Sequence, residues 1–312
     1  MKLRIWSSLF AVYLFWGANF LAIRFAVESI PPFLMSGMRF LVAGGMLHIW
    51  LRSRGTPVPN RKSWLSTALV GVLMLTGGNG SVSWASQWVP SGVTALIVGS
   101  IPIWMVLIDA FYPSLPRPRV GTFIGVGVGF LGIAALFAPT VMAEKQEVVD
   151  LVGGFVLLFG SLLWSIGSIY DREARLPISS LMGASMNMLA GGVGLLILGT
   201  LSGEWSQLNL GVISQRSISG LVYQIVFGSL IGFVAYTWLL HIAPTALVAT
   251  YAYVVPLIAI LLGNFLAQET ITPHLLISAG MIIGALVLVN IGQVRSGPVG
   301  AAHKMSTNED RS

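Results

Sequence analysis

Stretches of about 20 mostly apolar residues follow one another along almost the whole chain, and short segments between them hold most of the charge. Each stretch is long enough to cross the hydrocarbon of a bilayer as a helix. In lipid a spanning helix satisfies its own backbone hydrogen bonds, which an open strand cannot do. Ten such runs can be drawn, at roughly 5–25, 33–51, 65–86, 91–112, 120–138, 151–170, 178–201, 218–240, 245–267 and 274–292. The chain is 55% hydrophobic and 9% charged, whereas soluble domains carry about 25% charged residues. The expected fold is an all-α membrane protein of ten transmembrane helices. Cysteine is absent, which excludes disulfides, thiolate metal sites and cysteine nucleophiles. No cofactor or metal ion is called for.

Charge placement sets the expected orientation. Thirteen of the 17 basic residues, from Lys2 and Arg4 to Lys304 and Arg311, fall in segments on one side if the runs alternate. Basic loops resist translocation, so both termini are expected in the cytoplasm. The same distribution accounts for the net charge of +6, and no nucleic-acid partner is implied. The polar stretch over 293–312 reads as a disordered cytoplasmic tail.

The runs also repeat. Pro90, Ala95, Pro102, Leu107 and Phe111 recur as Pro244, Ala249, Pro256, Leu261 and Phe265 at one constant offset. Trp16 and Trp164 anchor a second match near the start of each half. The division is 1–148 and 149–292, with five helices in each part. Five is odd, so the second repeat enters the membrane from the opposite side, giving two inverted five-helix repeats. Such repeats hold their substrate site near the midplane, between discontinuous helices. Pro102 and Pro256 sit mid-run, where proline removes a hydrogen bond and frees the carbonyl four residues back. Those carbonyls belong to Val98 and Ala252. Both prolines are expected to act as hinges. Glycines at 121, 125 and 129, and at 280 and 284, have the spacing of close helix packing.

In this order the motifs resemble the EamA-type members of the drug/metabolite transporter superfamily. They are Trp16-Gly-x-Asn19, Arg39-Phe-Leu-x-Ala43-Gly, Asn79-Gly80, Pro90-Ser-Gly-x-x-Ala95 with Pro102, Tyr253-x-x-Pro256, Gln268-Glu269-Thr and Gly280-x-x-x-Gly284. The resemblance covers about residues 5–292. It implies a ten-helix exporter of the bacterial inner membrane, carrying amino acids, other metabolites or toxic compounds. Relatives of this kind often carry an acid after the fourth helix, as Glu269 follows the ninth. Here that stretch reads Pro113-Ser-Leu-Pro-Arg-Pro118.

Candidate substrate-binding residues follow from polarity and aromatic depth. Arg39 lies inside the second run, where an ionisable group is costly and marks function by default. Its fork could hold a carboxylate, or it could pair with Glu28. Asn19 shares a helix face with Trp16 and could bind substrate or join two helices. Asn79, among Gly77, Gly78 and Gly80, marks a weak point in the third helix. Trp16, Trp84, Trp164, Tyr236, Trp238, Tyr251 and Tyr253 could line an aromatic cavity, while the tryptophans at span ends fit an interfacial belt. Asp109 is the one acid inside the drawn runs, and is expected to pair with Arg117 or Arg119.

These features point to a secondary transporter that moves a small organic metabolite by alternating access, with the bilayer as its surroundings. An uncoupled facilitator is the alternative within transport. A primary pump lacks its phosphate loop here. An intramembrane enzyme would need a reactive constellation at depth, and none can be drawn. A non-catalytic sensor or assembly protein is the remaining class.

Overall fold

A computed structural model describes residues 2–110, 120–141, 150–174 and 178–294. All regular secondary structure among them is helical: α1 (Lys2–Val27), α2 (Pro32–Ser53), α3 (Arg61–Ala85), α4 (Ser91–Val98), α5 (Ile101–Ala110), α6 (Val120–Val141), α7 (Leu151–Glu173), α8 (Ser180–Leu201), α9 (Gln215–Ile242), α10 (Thr245–Val248), α11 (Tyr251–Ala267) and α12 (Pro273–Val294), with two single turns between α8 and α9. The expected tail from residue 295 on, the 113–118 stretch, and Arg117 and Arg119 lie outside the described residues. So does the side chain of Asp109.

Among the described residues, eight helical stretches are long and apolar enough to cross a membrane, the α4–α5 pair counting as one. Two shorter apolar helices, Tyr251–Ala267 and Pro273–Val289, complete the set. The ninth run is not one continuous helix. A break at Ala249–Thr250 splits it and leaves α11 with 17 residues. The fourth run is split too, at Gly99–Ser100. The break in the first half sits just before Pro102, where the missing N–H ends the ladder. In the second half Pro256 lies inside unbroken α11, and the break falls several residues earlier. The two prolines match in sequence but not in the local structure they produce.

The helix contacts follow a regular scheme. α1 packs on α9 and α11, and α7 packs on α3, α4 and α5. α2 packs on α8, α6 packs on α12, and α4 packs on α11. With α4–α5 and α10–α11 each taken as one unit, exchanging α1–α6 for α7–α12 maps these pairs onto one another. The third long helix of each half also carries a π-helical stretch, Val72–Asn79 in α3 and Gln224–Phe233 in α9. Such wide turns are rare and concentrate at functional sites.

Small residues set the closest approach. A methyl at Gly125 would stand 2.9 Å from Val289 and 3.0 Å from the Ala285 carbonyl, so α6 and α12 meet along this glycine face. Gly280 and Gly284 do not share this role, because nothing lies within 4 Å of either would-be methyl. Gly121 is equally open. Helix α12 instead buries Ile282, Ala285, Leu286 and Val289.

Candidate functional site

The two π-helical stretches, the α4–α5 break and the start of α11 surround a cavity of about 60 Å³. From the first half it takes Trp16 and Asn19 on α1, Arg39 and Phe40 on α2, Gly78 and Asn79 on α3, and Val98 and Gly99 at the break. From the second it takes Ser161 and Trp164 on α7, Gly228 and Phe233 on α9, and Tyr251, Val255 and Pro256 on α11. The Ala252 carbonyl faces the α4–α5 break, 3.6 Å from where a methyl on Gly99 would lie. A space of this size holds only a few waters. A metabolite would need the walls to move apart.

Arg39 dominates the site's electrostatics. Its residue is 2% exposed. The guanidinium donates from Nε to Ser229 Oγ and from Nη1 to Gln224 Oε1, both at 2.8 Å. It also lies 4.5 Å from the centre of the Phe40 ring. These partners are neutral, and no carboxylate pairs with Arg39 among the described residues. The expected alternative partner, Glu28, pairs with Arg216 at 3.4 Å instead. A buried cation without a counterion carries a desolvation cost of several kcal/mol. Hydrogen bonds to neutral groups offset part of it. Arg39 Nη2 lies beside Gly228, another lining residue, and would be 3.1 Å from a methyl there.

Two amides stand beside this charge with unused acceptors. Asn19 Oδ1 and Asn79 Oδ1 are buried and have no hydrogen-bond partner. An aromatic cluster also borders the cavity. The Trp16 ring meets Tyr236 at 4.9 Å, Tyr251 at 5.4 Å and Trp164 at 5.8 Å between centroids. Trp16 Nε1 donates to the Gly228 carbonyl at 3.2 Å, which fixes the indole against the π-helical stretch. The cavity thus combines cationic, hydrogen-bonding and aromatic lining.

The site brings together Trp16, Asn19, Arg39, Asn79, Trp164 and Tyr251, with Pro256 at its edge. Trp84 and Tyr253 stand apart from it. Trp84 packs edge-on against Trp88 at 4.6 Å, and the Tyr253 hydroxyl donates to the Leu286 carbonyl at 2.9 Å. Pro102 lines a separate small void with Tyr236 and Tyr251. Sequence reasoning missed Gln224, Ser229, Gly228 and Phe233. Gln224 was visible as a polar amide inside an apolar run. Nothing in the sequence pairs it with Arg39.

One end of the bundle is held by polar contacts between the halves. Glu269 pairs with Arg24, and accepts from Ser91 N at 2.9 Å, Ser91 Oγ at 3.0 Å and Gly92 N at 3.2 Å. The carboxylate thereby caps the N-terminus of α4, where the exposed N–H groups favour negative charge. Glu204 does the same for α2, accepting from Leu34 N at 2.8 Å and Phe33 N at 3.2 Å. Burial raises the Glu204 carboxyl above its ordinary range, against the pull of those two N–H groups.

Long apolar helices around a central cavity define a multi-pass membrane protein. The chain belongs to the EamA-like transporter family, which matches residues 5–138 and again 151–291. That places it in the drug/metabolite transporter superfamily. It is 35% identical over 295 residues to the uncharacterized inner membrane transporter YedA of Escherichia coli K12, covering 93% of this chain and 92% of that one. It is 25% identical to the uncharacterized transporter YvbV of Bacillus subtilis, covering 88% of each. A crystal structure that is 20% identical, and covers 91% of this chain and 96% of that chain, superposes with a TM-score of 0.62. That likeness supports the helical fold.

Proposed function

We propose that this protein is a secondary transporter that exports small amphipathic metabolites across the inner membrane by alternating access, binding their carboxylate on Arg39. The carrying observation is the buried Arg39 guanidinium, which has only neutral partners and faces a cavity between the halves. An anionic group would supply the missing counter-charge. The bidentate fork suits a carboxylate, the unused amide oxygens of Asn19 and Asn79 suit a donor such as an ammonium, and the aromatic wall suits an apolar body. Amino acids fit this description.

The proposed architecture is ten membrane crossings in two inverted five-helix repeats, with both termini in the cytoplasm. The twofold family match, the exchangeable helix contacts and the matched π-helical stretches support the repeats. Basic-residue placement supports the orientation. The inner-membrane assignment is supported by the name of the Escherichia coli relative. Rocking one half against the other would open the cavity to each side in turn.

Uptake of a labelled metabolite panel into inverted membrane vesicles, with and without a proton gradient, tests the reading. Accumulation of a carboxylate that depends on the protein and on Arg39 is expected. No protein-dependent uptake of any carboxylate would overturn it.

A further inference from the structure

Helices α3, α7, α8 and α9 carry their own N-terminal caps. Asn60, Asp150, Ser179 and Ser214 each accept from the backbone of the helix that follows. Helices α2 and α4 are preceded by Pro31 and Pro90, whose side chains have no acceptor to offer. Their first N–H groups are met from the other half of the molecule, by Glu204 and Glu269. Both helix starts lie at the end of the bundle where α1 stops, and further contacts between the halves surround them. Ser217 Oγ donates to the Phe25 carbonyl at 2.7 Å, Ser29 Oγ donates to Ser217 Oγ at 2.8 Å, and Ser214 N donates to Ser29 Oγ at 3.0 Å.

Glu269 is set deeper than the rim of this end. Its side chain is 9% exposed, against 40% for Glu28. Its carboxylate touches helices whose neighbouring turns line the Arg39 cavity. Arg24 follows Ile23 on α1, Ser91 comes just before Ala95 on α4, and Gly263, beside the carboxylate, follows Pro256 on α11. At about 1.5 Å per residue along a helix, the carboxylate stands roughly 6–10 Å beyond the lining. Helices α4 and α11 touch there: a methyl on Gly92 would lie 2.8 Å from Ile260, and one on Gly263 would lie 2.8 Å from Ser91 Oγ. The backbone of Glu269 is tied to α11. Its N–H donates to the Gly263 carbonyl at 3.0 Å, and its carbonyl accepts from Asn264 Nδ2 at 2.9 Å. The carboxylate therefore moves with α11 and holds α1 and α4.

A charged group is needed for this hold. Glu269 Oε1 accepts from Arg24 Nη1 and Ser91 N, and Oε2 accepts from Ser91 Oγ and Gly92 N. Each oxygen faces a backbone N–H, which can only donate, so an amide in either orientation would set one N–H against another. Parting the halves here also leaves the first N–H groups of α4 without their acceptor.

We propose that Glu269 is the bolt of a gate on this side of the Arg39 cavity. While the carboxylate holds Arg24 and the start of α4, α1 and α4 stay against α11 and the cavity is closed toward that face. When the carboxylate lets go, the three helices part and the cavity opens there. The gate stands on these contacts and does not rest on the function proposed above.

The full-length chain has no cysteine, so a single introduced thiol reports the gate without a substrate. Ala95→Cys places it on the buried cavity lining of α4. Exposed Leu210→Cys, in the segment between α8 and α9, identifies the Glu269 face. Labelling by a membrane-impermeant maleimide is timed in spheroplasts and in inverted vesicles of an expressing bacterium. From the face where Leu210→Cys reacts, Ala95→Cys is expected to react slowly, and Glu269→Gln to raise its rate roughly tenfold or more, as lost charge-assisted hydrogen bonds imply. Arg24→Gln is expected to raise it roughly two- to fivefold, and carries the test if Glu269→Gln does not reach the membrane. From the opposite face neither variant raises the rate. An unchanged rate overturns the gate, as does an equal rise from both faces, which would mean general loosening. So does an Ala95→Cys thiol that already reacts as fast as Leu210→Cys with Glu269 intact. A protein that carries no carboxylate would still show the one-sided rise, and a carboxylate transporter without it would keep its Arg39 site and lose this gate.

Discussion

Arg24 and Arg39 both reach between the two halves of the molecule, but they meet different partners. Arg24 pairs with Glu269, which also collects the N–H groups at the start of α4. Arg39 is buried more deeply and, among the described residues, meets an amide, a hydroxyl and an aromatic ring. The first charge is neutralised by the fold and closes one end of the bundle. On the function proposed above, the second is left for the anionic group of a substrate. A guanidinium whose counterion is built in holds structure. One whose counterion is missing, beside a cavity, is placed to receive one.

The widest separation between the two should come from Arg39→Gln. Removing one partner of a buried, hydrogen-bonded charge pair costs 2–5 kcal/mol, roughly 30-fold to several-thousand-fold in affinity. Carboxylate binding, measured by equilibrium dialysis in detergent, should fall by that amount in Arg39→Gln. Arg39→Lys should fall less, because it keeps the charge and loses the fork. Arg24→Gln should leave affinity within about threefold and instead lower the midpoint of thermal unfolding, since exposed or partly exposed ion pairs contribute about 1 kcal/mol or less.

Gly228→Ala sharpens the comparison from the other side. Its methyl would lie 2.4 Å from Asn19 Oδ1 and 3.1 Å from Arg39 Nη2. Overpacking of this kind costs about 1–3 kcal/mol, so roughly a tenfold loss of carboxylate affinity is expected by the same assay. An unaltered affinity would mean that the face of Arg39 next to Gly228 is not the one that binds.

The prolines give the smallest expected difference. Pro256 interrupts the hydrogen-bond ladder inside continuous α11, whereas Pro102 follows a break already made at Gly99–Ser100. Pro256→Ala can regain a helical hydrogen bond of about 1 kcal/mol, and should slow transport while raising thermal stability. Pro102→Ala should change stability by less, because Ser100 already ends the ladder there. Equal effects in thermal unfolding and vesicle uptake would remove the asymmetry between the two breaks.

The helices were largely legible in sequence, since lipid leaves the chain few ways to satisfy its backbone. Their ends were less so. The run drawn to residue 170 continues to Glu173 and brings Asp171 onto the helix, which is why Asp109 stood as the one acid inside the runs. The cavity was partly legible, because a buried arginine, two asparagines and deep aromatics are all costly in an apolar run. Trp84 and Tyr253 carried the same signal yet pack against Trp88 and Leu286. Which face a residue presents depends on the helix it meets, and one sequence does not state that. The π-helical stretches were hidden for a related reason. Their wide turns are fixed by packing against α1, α2, α7 and α8, with only the glycines around Asn79 hinting at one of them.

The most direct test is the thermal shift of purified wild type and Arg39→Gln with matched ligands, each an amphipathic carboxylate and its neutral carboxamide. A carboxylate that fills the empty place beside Arg39 should stabilise wild type, its carboxamide should do so far less, and Arg39→Gln should not distinguish the two. Equal stabilisation of wild type by acid and amide, or a preference for the acid that survives in Arg39→Gln, would contradict the account.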